Sequence, residues 1–146
     1  AFGIVPAQLE LEITEYAVIE NIQQSIRTLD KLKTLGVTIS MDDFGTGYSS
    51  LSHLKQLPID VIKIDRSFIQ TIPNDQDDIA IVTAILSMAK ALNLGVVAEG
   101  VENQSQLNFL ALHNCDMAQG YYFSPALVNT DFIEWIEANS SNTSPV

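Results

Sequence analysis

Five times along this chain an apolar, β-branched run ends in a carboxylate or carboxamide and is followed by a helix-like segment. The runs occupy residues 9–15 (L-E-L-E-I-T-E), 37–44 (V-T-I-S-M-D-D-F), 61–65 (V-I-K-I-D), 96–102 (V-V-A-E-G-V-E) and 117–124 (M-A-Q-G-Y-Y-F-S). Alternation of strand and helix argues for an α/β fold with a parallel sheet and helical crossovers, open or closed into a barrel. Acids at the ends of successive strands then collect on one rim, where βα-repeat folds keep their active sites.

Between the runs lie helices with readable limits. Val18, Ile19, Ile22, Ile26, Leu29 and Leu32 recur at helical spacing and predict one helix stopped by Gly36. A shorter helix is expected after Gly47, with Tyr48, Leu51, Leu54 and Leu57 on one face before Pro58. Ile79, Val82, Leu86, Ala89 and Leu92 predict a third, closed near Gly95, and residues 104–113 a fourth. Asn129 or Thr130 has the chemistry to cap a last helix bearing Phe132, Trp135 and Ile136. Gly45-Thr46-Gly47-Tyr48-Ser49-Ser50 lacks the third glycine of a dinucleotide-binding turn, so a barrel is preferred over a doubly wound sheet. From Glu12 to Asp42, Asp65 and Glu99 the steps are 30, 23 and 34 residues, one βα unit each. A complete barrel takes roughly 250 residues, so the 146 here read as about half of one.

Composition narrows the chemistry. Seven Lys and Arg against 18 Asp and Glu give a formal charge of −11, the wrong sign for gripping polymeric nucleic acid through its phosphates. A phosphate-bearing substrate would need cations as intermediaries. One cysteine, Cys115, permits no internal disulfide, and no C-x-x-C or paired His offers a thiolate or imidazole metal site. The longest apolar region, 79–89, is interrupted by Thr83 and Ser87 and is too short to span a membrane. With no basic, apolar leader at the start, a cytoplasmic setting without membrane contact is expected, with one domain over 1–139 and a disordered tail over 140–146.

Period two decides which acids share a face of the sheet. Glu10 and Glu12 lie opposite Leu9, Leu11 and Ile13. Lys63 and Asp65 share a face with Val61, and Glu99 shares one with Val97. Adjacent Asp42 and Asp43 would face opposite ways in a regular strand, so one must sit where the chain bends into Phe44-Gly45-Thr46-Gly47. Up to seven carboxylates (Glu12, Glu15, Asp42, Asp43, Asp65, Glu99, Glu102) would then surround the single cation Lys63. Two like charges at about 4 Å repel by about 4 kcal/mol at an effective dielectric of 20, so the ring calls for divalent cations. Oxygen-only ligands select hard ions such as Mg²⁺ or Mn²⁺, and two such ions bridged by an aspartate are suited to phosphodiester hydrolysis. Taken singly, each acid also fits a helix N-cap, and Lys63 with Asp65 a buried ion pair. His53 and His113 fall on helical segments without a partner, and Tyr121, Tyr122 and Phe123 read as strand packing, with one of them near the mouth able to flank a base.

These motifs together resemble the EAL-domain family of cyclic di-GMP phosphodiesterases. The matching stretches are L-E-I-T-E at 11–15, D-D-F-G-T-G-Y-S-S-L at 42–51, K-I-D-R-S-F-I at 63–69, V-A-E-G-V-E at 97–102 and Q-G-Y-Y-F-S at 119–124. The resemblance implies a TIM-type barrel that opens cyclic di-GMP to linear pGpG with Mg²⁺ or Mn²⁺. It makes Glu12, Asp42 and Asp43 metal ligands, Asp42 bridging two ions. Lys63 holds and polarises the attacking water, and Glu99 acts as general base or as ligand of the second ion. Asp65 and Gln119 complete the surroundings of water or substrate, and Glu102 supports the site from outside. Glu15 anchors the loop 44–50, with Gly45, Thr46 and Gly47, and that loop carries the dimer contact. The family's E-A-L glutamate and a later asparagine ligand are absent from the sequence, so the chain is expected to be the C-terminal half or slightly more of the barrel and inactive alone. A dimer or domain-swapped assembly, and a GGDEF or sensory domain upstream in the parent, are further expectations. A non-catalytic cyclic di-GMP receptor is the alternative. An enolase-type enzyme would explain the acids and Lys63 but not the D-F-G-T-G-Y-S-S-L loop.

Overall fold

A computed structural model describes residues 3–47 and 51–139. Five parallel strands stand in chain order: β1 (Glu10–Thr14), β2 (Thr38–Phe44), β3 (Val61–Ile64), β4 (Gly95–Glu99) and β5 (Met117–Gln119). The helices between them are α1 (Glu15–Ile19), α2 (Ile22–Lys33), α3 (Leu51–Leu54), α4 (Arg66–Ile69), α5 (Gln76–Ala91), α6 (Gln104–Leu112) and α7 (Asn129–Asn139). This is the expected α/β alternation.

Strand alternation separates two faces. Ile39, Met41, Phe44, Ile62, Ile64, Val96 and Ala98 turn toward the helices and meet Leu29, Val82, Leu86, Ala89 and Leu110 in one core. Ser40, Asp42, Lys63 and Glu99 alternate with them and occupy the other face. The bottom of the sheet is tied by aspartates. Asp60, just before β3, accepts the Ile39 N–H at 2.8 Å and pairs with Lys33 at 2.6 Å. Asp116, just before β5, accepts the Val96 N–H at 2.8 Å. Each accepts from the second amide of a neighbouring strand, fixing register below so that the upper ends line up.

The elements differ from the sequence reading at four places. The single helix expected over 18–32 is two, because the Asn21 side chain accepts the Gln24 N–H and starts α2 afresh. Glu15 opens α1 instead of closing β1. The run 117–124 is strand only to Gln119; Tyr121, Tyr122 and Phe123 lie beyond it, exposed, with Tyr122 and Phe123 in an edge-to-face pair at 5.3 Å. His113 is not without a partner: it stacks on Phe109 at 4.1 Å, and its Nδ1 lies 2.8 Å from the Phe109 carbonyl. Tyr48 and the tail 140–146 lie outside the described residues.

Candidate active site

Register places the polar side chains on one rim. Glu12 stands beside Ser40, Thr14 beside Asp42, Lys63 beside Val97, and Glu99 beside Gln119. At the centre Lys63, 5% exposed, reaches Glu12 Oε1 at 2.5 Å, Glu99 Oε1 at 2.7 Å and Asp42 Oδ1 at 3.4 Å. Burial alone would lower its pKa. Hydrogen bonds to Glu12 and Glu99, with the charges of Glu99 and Asp42, outweigh burial and hold the ammonium well above the usual lysine range.

The anticipated Lys63–Asp65 pair does not form. Asp65 caps α4 instead, its Oδ1 accepting the Ser67 N–H at 2.9 Å. Burial pushes its pKa up, but the Ser67 hydrogen bonds and the Arg66 charge prevail and lower it. Asp65 nevertheless faces the site, because Asp43 feels it: burial, the charges of Asp42 and Asp65 and a hydrogen bond with Asp65 raise the Asp43 carboxyl.

Two adjacent aspartates serve one rim because β2 is irregular there. Met41 pairs with Ile62 and Phe44 with Ile64, so β2 uses one residue more than β3 across the same span. Asp43 takes up the excess in a left-handed conformation, φ 53°. The turn behind it is closed by Thr46, whose hydroxyl donates to the Asp43 carbonyl at 2.8 Å. Gly45 has φ +99°, and a Cβ there would lie 2.9 Å from Phe68. Glu15, 4% exposed, lies under the same turn; a Cβ on Gly47 would come 2.7 Å from its Oε1. Glu15 thus sits where the resemblance put a loop anchor; residues 48–50 of that loop lie outside the described residues.

Glu102 and Gln119 flank a cleft of about 260 Å³ with Arg66, Glu99, Gly100, Gly120 and Tyr121. Arg66 brings a second cation to the rim, and Tyr121 an aromatic ring, neither of which strand periodicity singled out. Also missed was Gln106, 2% exposed, although the pattern Asn103-x-x-Gln106 spells a capping box.

The donor set is carboxylate oxygen throughout, the type hard divalent ions take. Asp42 Oδ1 is buried without a hydrogen-bond partner, and burial together with the Asp42 and Asp65 charges raises Asp43, so added positive charge would be welcome there. The residues therefore fit such an ion. They are not already closed around one: among the described residues no three acids, His or Cys form a ready metal cluster, since Glu12 and Glu99 turn onto Lys63.

Comparison with known proteins gives the arrangement its context. The cyclic di-GMP phosphodiesterase NbdA of Pseudomonas aeruginosa is 49% identical over 143 residues, 98% of this chain and 18% of that protein. The crystal structure of the EAL domain of Mycobacterium smegmatis DcpA superposes with TM-score 0.87 at 40% identity, covering 94% of this chain and 61% of that one. A manganese and cyclic di-GMP complex of Klebsiella pneumoniae BlrP1 superposes with TM-score 0.78 at 35% identity, over 84% of this chain and 31% of that one. The chain thus spans less than a fifth of the curated relative and about three fifths of the solved EAL domain. The family model described as EAL domain matches residues 1–126, and the fold superposes on a solved EAL domain: this chain is a member of the EAL domain family.

Proposed function

We propose that this chain carries the C-terminal half of a cyclic di-GMP phosphodiesterase site, in a single structural unit over residues 1–139. The observation that carries the reading is the buried Lys63 ammonium held among Glu12, Asp42 and Glu99 at 2.5, 3.4 and 2.7 Å. That geometry suits hydrolysis. Lys63 donates to the attacking water, and Glu99, on the same ammonium, accepts its proton as the oxygen bonds to phosphorus and the phosphorus–ribose oxygen bond breaks, the leaving oxygen taking a proton from solvent. Thr46 and the Glu15-supported turn keep Asp42 and Asp43 facing the rim. Gln119, Glu102, Arg66 and Tyr121 present donors, acceptors and a ring to the rest of the dinucleotide.

Glu12, Asp42, Asp43 and Glu99 would hold Mg²⁺ or Mn²⁺, two ions in the complete site, a reading supported by the manganese complex of BlrP1. When bound, such ions polarise a phosphoryl oxygen and lower the pKa of water. The E-A-L glutamate and the asparagine implied by the resemblance are not among these residues, so activity requires them to be supplied by the rest of the parent barrel. The parent is proposed to be cytoplasmic, to dimerise, and to join a GGDEF or sensory domain; that this chain spans 18% of NbdA agrees with further segments in its relatives. Among the described residues no helix is long and apolar enough to cross a membrane.

The test is hydrolysis of cyclic di-GMP with Mg²⁺ or Mn²⁺, followed by chromatography for pGpG, for the chain alone and with the upstream half added. Product only after the addition, abolished by Glu99→Gln, is expected. Turnover by the chain alone would remove the requirement for upstream ligands. Silence in both, with cyclic di-GMP still bound, would make the domain a receptor.

A further inference from the structure

We infer that Gln106 is a positioning residue for the rim: it straps the exit of β4 to the exit of β3 and so holds Glu99 against Lys63. Gln106 lies in the first turn of α6, yet it is 2% exposed. Its Oε1 accepts the N–H of Glu102 at 2.7 Å and of Asn103 at 3.1 Å, while its Nε2 donates to the Gln70 carbonyl at 3.3 Å. A capping box needs only the reach back to the N-cap amide of Asn103. The shorter bond to Glu102 and the bond to Gln70 exceed that requirement.

Both extra bonds end on rim segments. Gln70 is the C-cap of α4, whose N-cap is Asp65. Glu102 is three residues past Glu99, and the chain between them is pinned on either side. A Cβ on Gly100 would come 2.5 Å from the Arg66 Cβ, so this segment presses on α4. Val101 donates to the Gln119 carbonyl at 3.0 Å and accepts the Tyr122 N–H at 2.9 Å. The exits of β3, β4 and β5 therefore form one hydrogen-bonded band, and Gln106 is the side chain that closes it between α4 and α6. Glu99, at the head of the strapped segment, meets Lys63 at 2.7 Å.

Any effect on turnover rests on the proposed hydrolase reading; the strap does not. The test compares the chain with Gln106→Leu, which removes every bond, and Gln106→Glu, which can still accept from both amides. Hydrogen exchange reads Glu102 and Asn103, and the ¹⁵Nζ resonance of Lys63 reads whether Glu99 stays in place. In Gln106→Leu the two amides should exchange at least about tenfold faster and the Lys63 signal should move or broaden. Gln106→Glu, which keeps the acceptor for both amides but loses the Nε2 donor to the Gln70 carbonyl, should restore the amide protection while the Lys63 signal stays displaced; full recovery of that signal would show that the bond to Gln70 straps nothing. Faster exchange with an unmoved Lys63 signal would reduce Gln106 to a helix cap, and unchanged exchange would overturn the strap. Should the Leu variant not fold, the unmodified chain decides: Glu102 and Asn103 must exchange at least about tenfold more slowly than Gln104 and Ser105, whose amides the helix start leaves unpaired. Cyclic di-GMP and Mn²⁺ added to the same samples, with the upstream half, read turnover separately. If even the unmodified chain makes no pGpG there, the hydrolase reading falls while the Lys63 signal still settles the strap.

Discussion

Lys63 shows how charges inside a βα rim balance. Its side chain is 6% exposed, whereas its partners Glu12, Asp42 and Glu99 keep 52%, 24% and 21% of their side-chain surface in solvent. Removing the cation leaves three carboxylates that can only partly rehydrate. Lys63→Met should therefore destabilise the metal-free chain, toward the low end of the about 3–5 kcal/mol seen when a buried pair loses one partner. Millimolar Mg²⁺ should raise its melting temperature more than that of the unmodified chain, because the ion replaces the missing charge; equal increments would count against metal binding by these acids. Cys115 is a second residue with a readable charge state. Burial, aided by Asp116, pushes its thiol from an ordinary value of 9.0 up to about 11, against the Met117 backbone hydrogen bond. Between those values the unfolded chain has lost the proton and the folded chain keeps it, so this group's contribution makes stability fall as pH rises from about 9 to 11. Alkylation by iodoacetamide at pH 8 should be slow in the folded chain and fast in urea. Equal rates would show that burial does not hold the proton.

Among the elements, the strands are held in register at their lower ends by two aspartates with the same task. Asp60 gives one carboxylate to both Lys33 and the Ile39 amide, and its backbone also bonds Ile39 and Gly95. The ion pair is about one third exposed on both sides, so it contributes at most about 1 kcal/mol, while an unpaired amide on fully buried Ile39 costs about 1–3 kcal/mol. Chemical denaturation should accordingly show Lys33→Ala close to neutral and Asp60→Ala clearly destabilising; the reverse order would make the ion pair the dominant tie. At the upper ends the tolerance is steric. A Cβ on Gly120 would come within 2.2 Å of the Val101 carbonyl oxygen, a backbone atom that cannot rotate away. Gly120→Ala should shift the β5 exit and with it Gln119, visible as a loss of stability of at least about 1–3 kcal/mol.

At the level of the whole molecule the sheet is open. Among the described residues β1 and β5 each have one unpaired edge, and α7 leaves Phe132, Ile133, Trp135 and Ile136 between 36% and 50% exposed. A groove of about 470 Å³ runs between α7 and the end of β5, lined in part by Phe123, Pro125, Leu127, Phe132 and Trp135. Unpaired parallel edges beside apolar surface favour association. Sedimentation of the chain alone should show concentration-dependent self-association that the upstream half suppresses; a clean monomer at micromolar concentration would show that the edges are protected some other way.

The strand order and the rim were legible in the sequence because period-two alternation and strand-end acids are local signals. Glu12, Asp42, Lys63 and Glu99 could be assigned to one site from spacing alone, and the EAL resemblance rested on motifs contiguous in the chain. What spacing could not supply was which acid the lysine chooses. Asp65, two residues away, shares its face in a regular strand, but β3 ends at Ile64 and Asp65 turns to cap α4. Glu12 and Glu99, 51 and 36 residues distant, take its place. The bend at Asp43 was legible from the adjacent Asp42 and Asp43, but the register shift that makes it, and the strap made by Gln106, were hidden for the same reason. Each depends on the offset between neighbouring strands and the closeness of their exits, and those are set by packing across the sheet, not by the residues on either side in the chain.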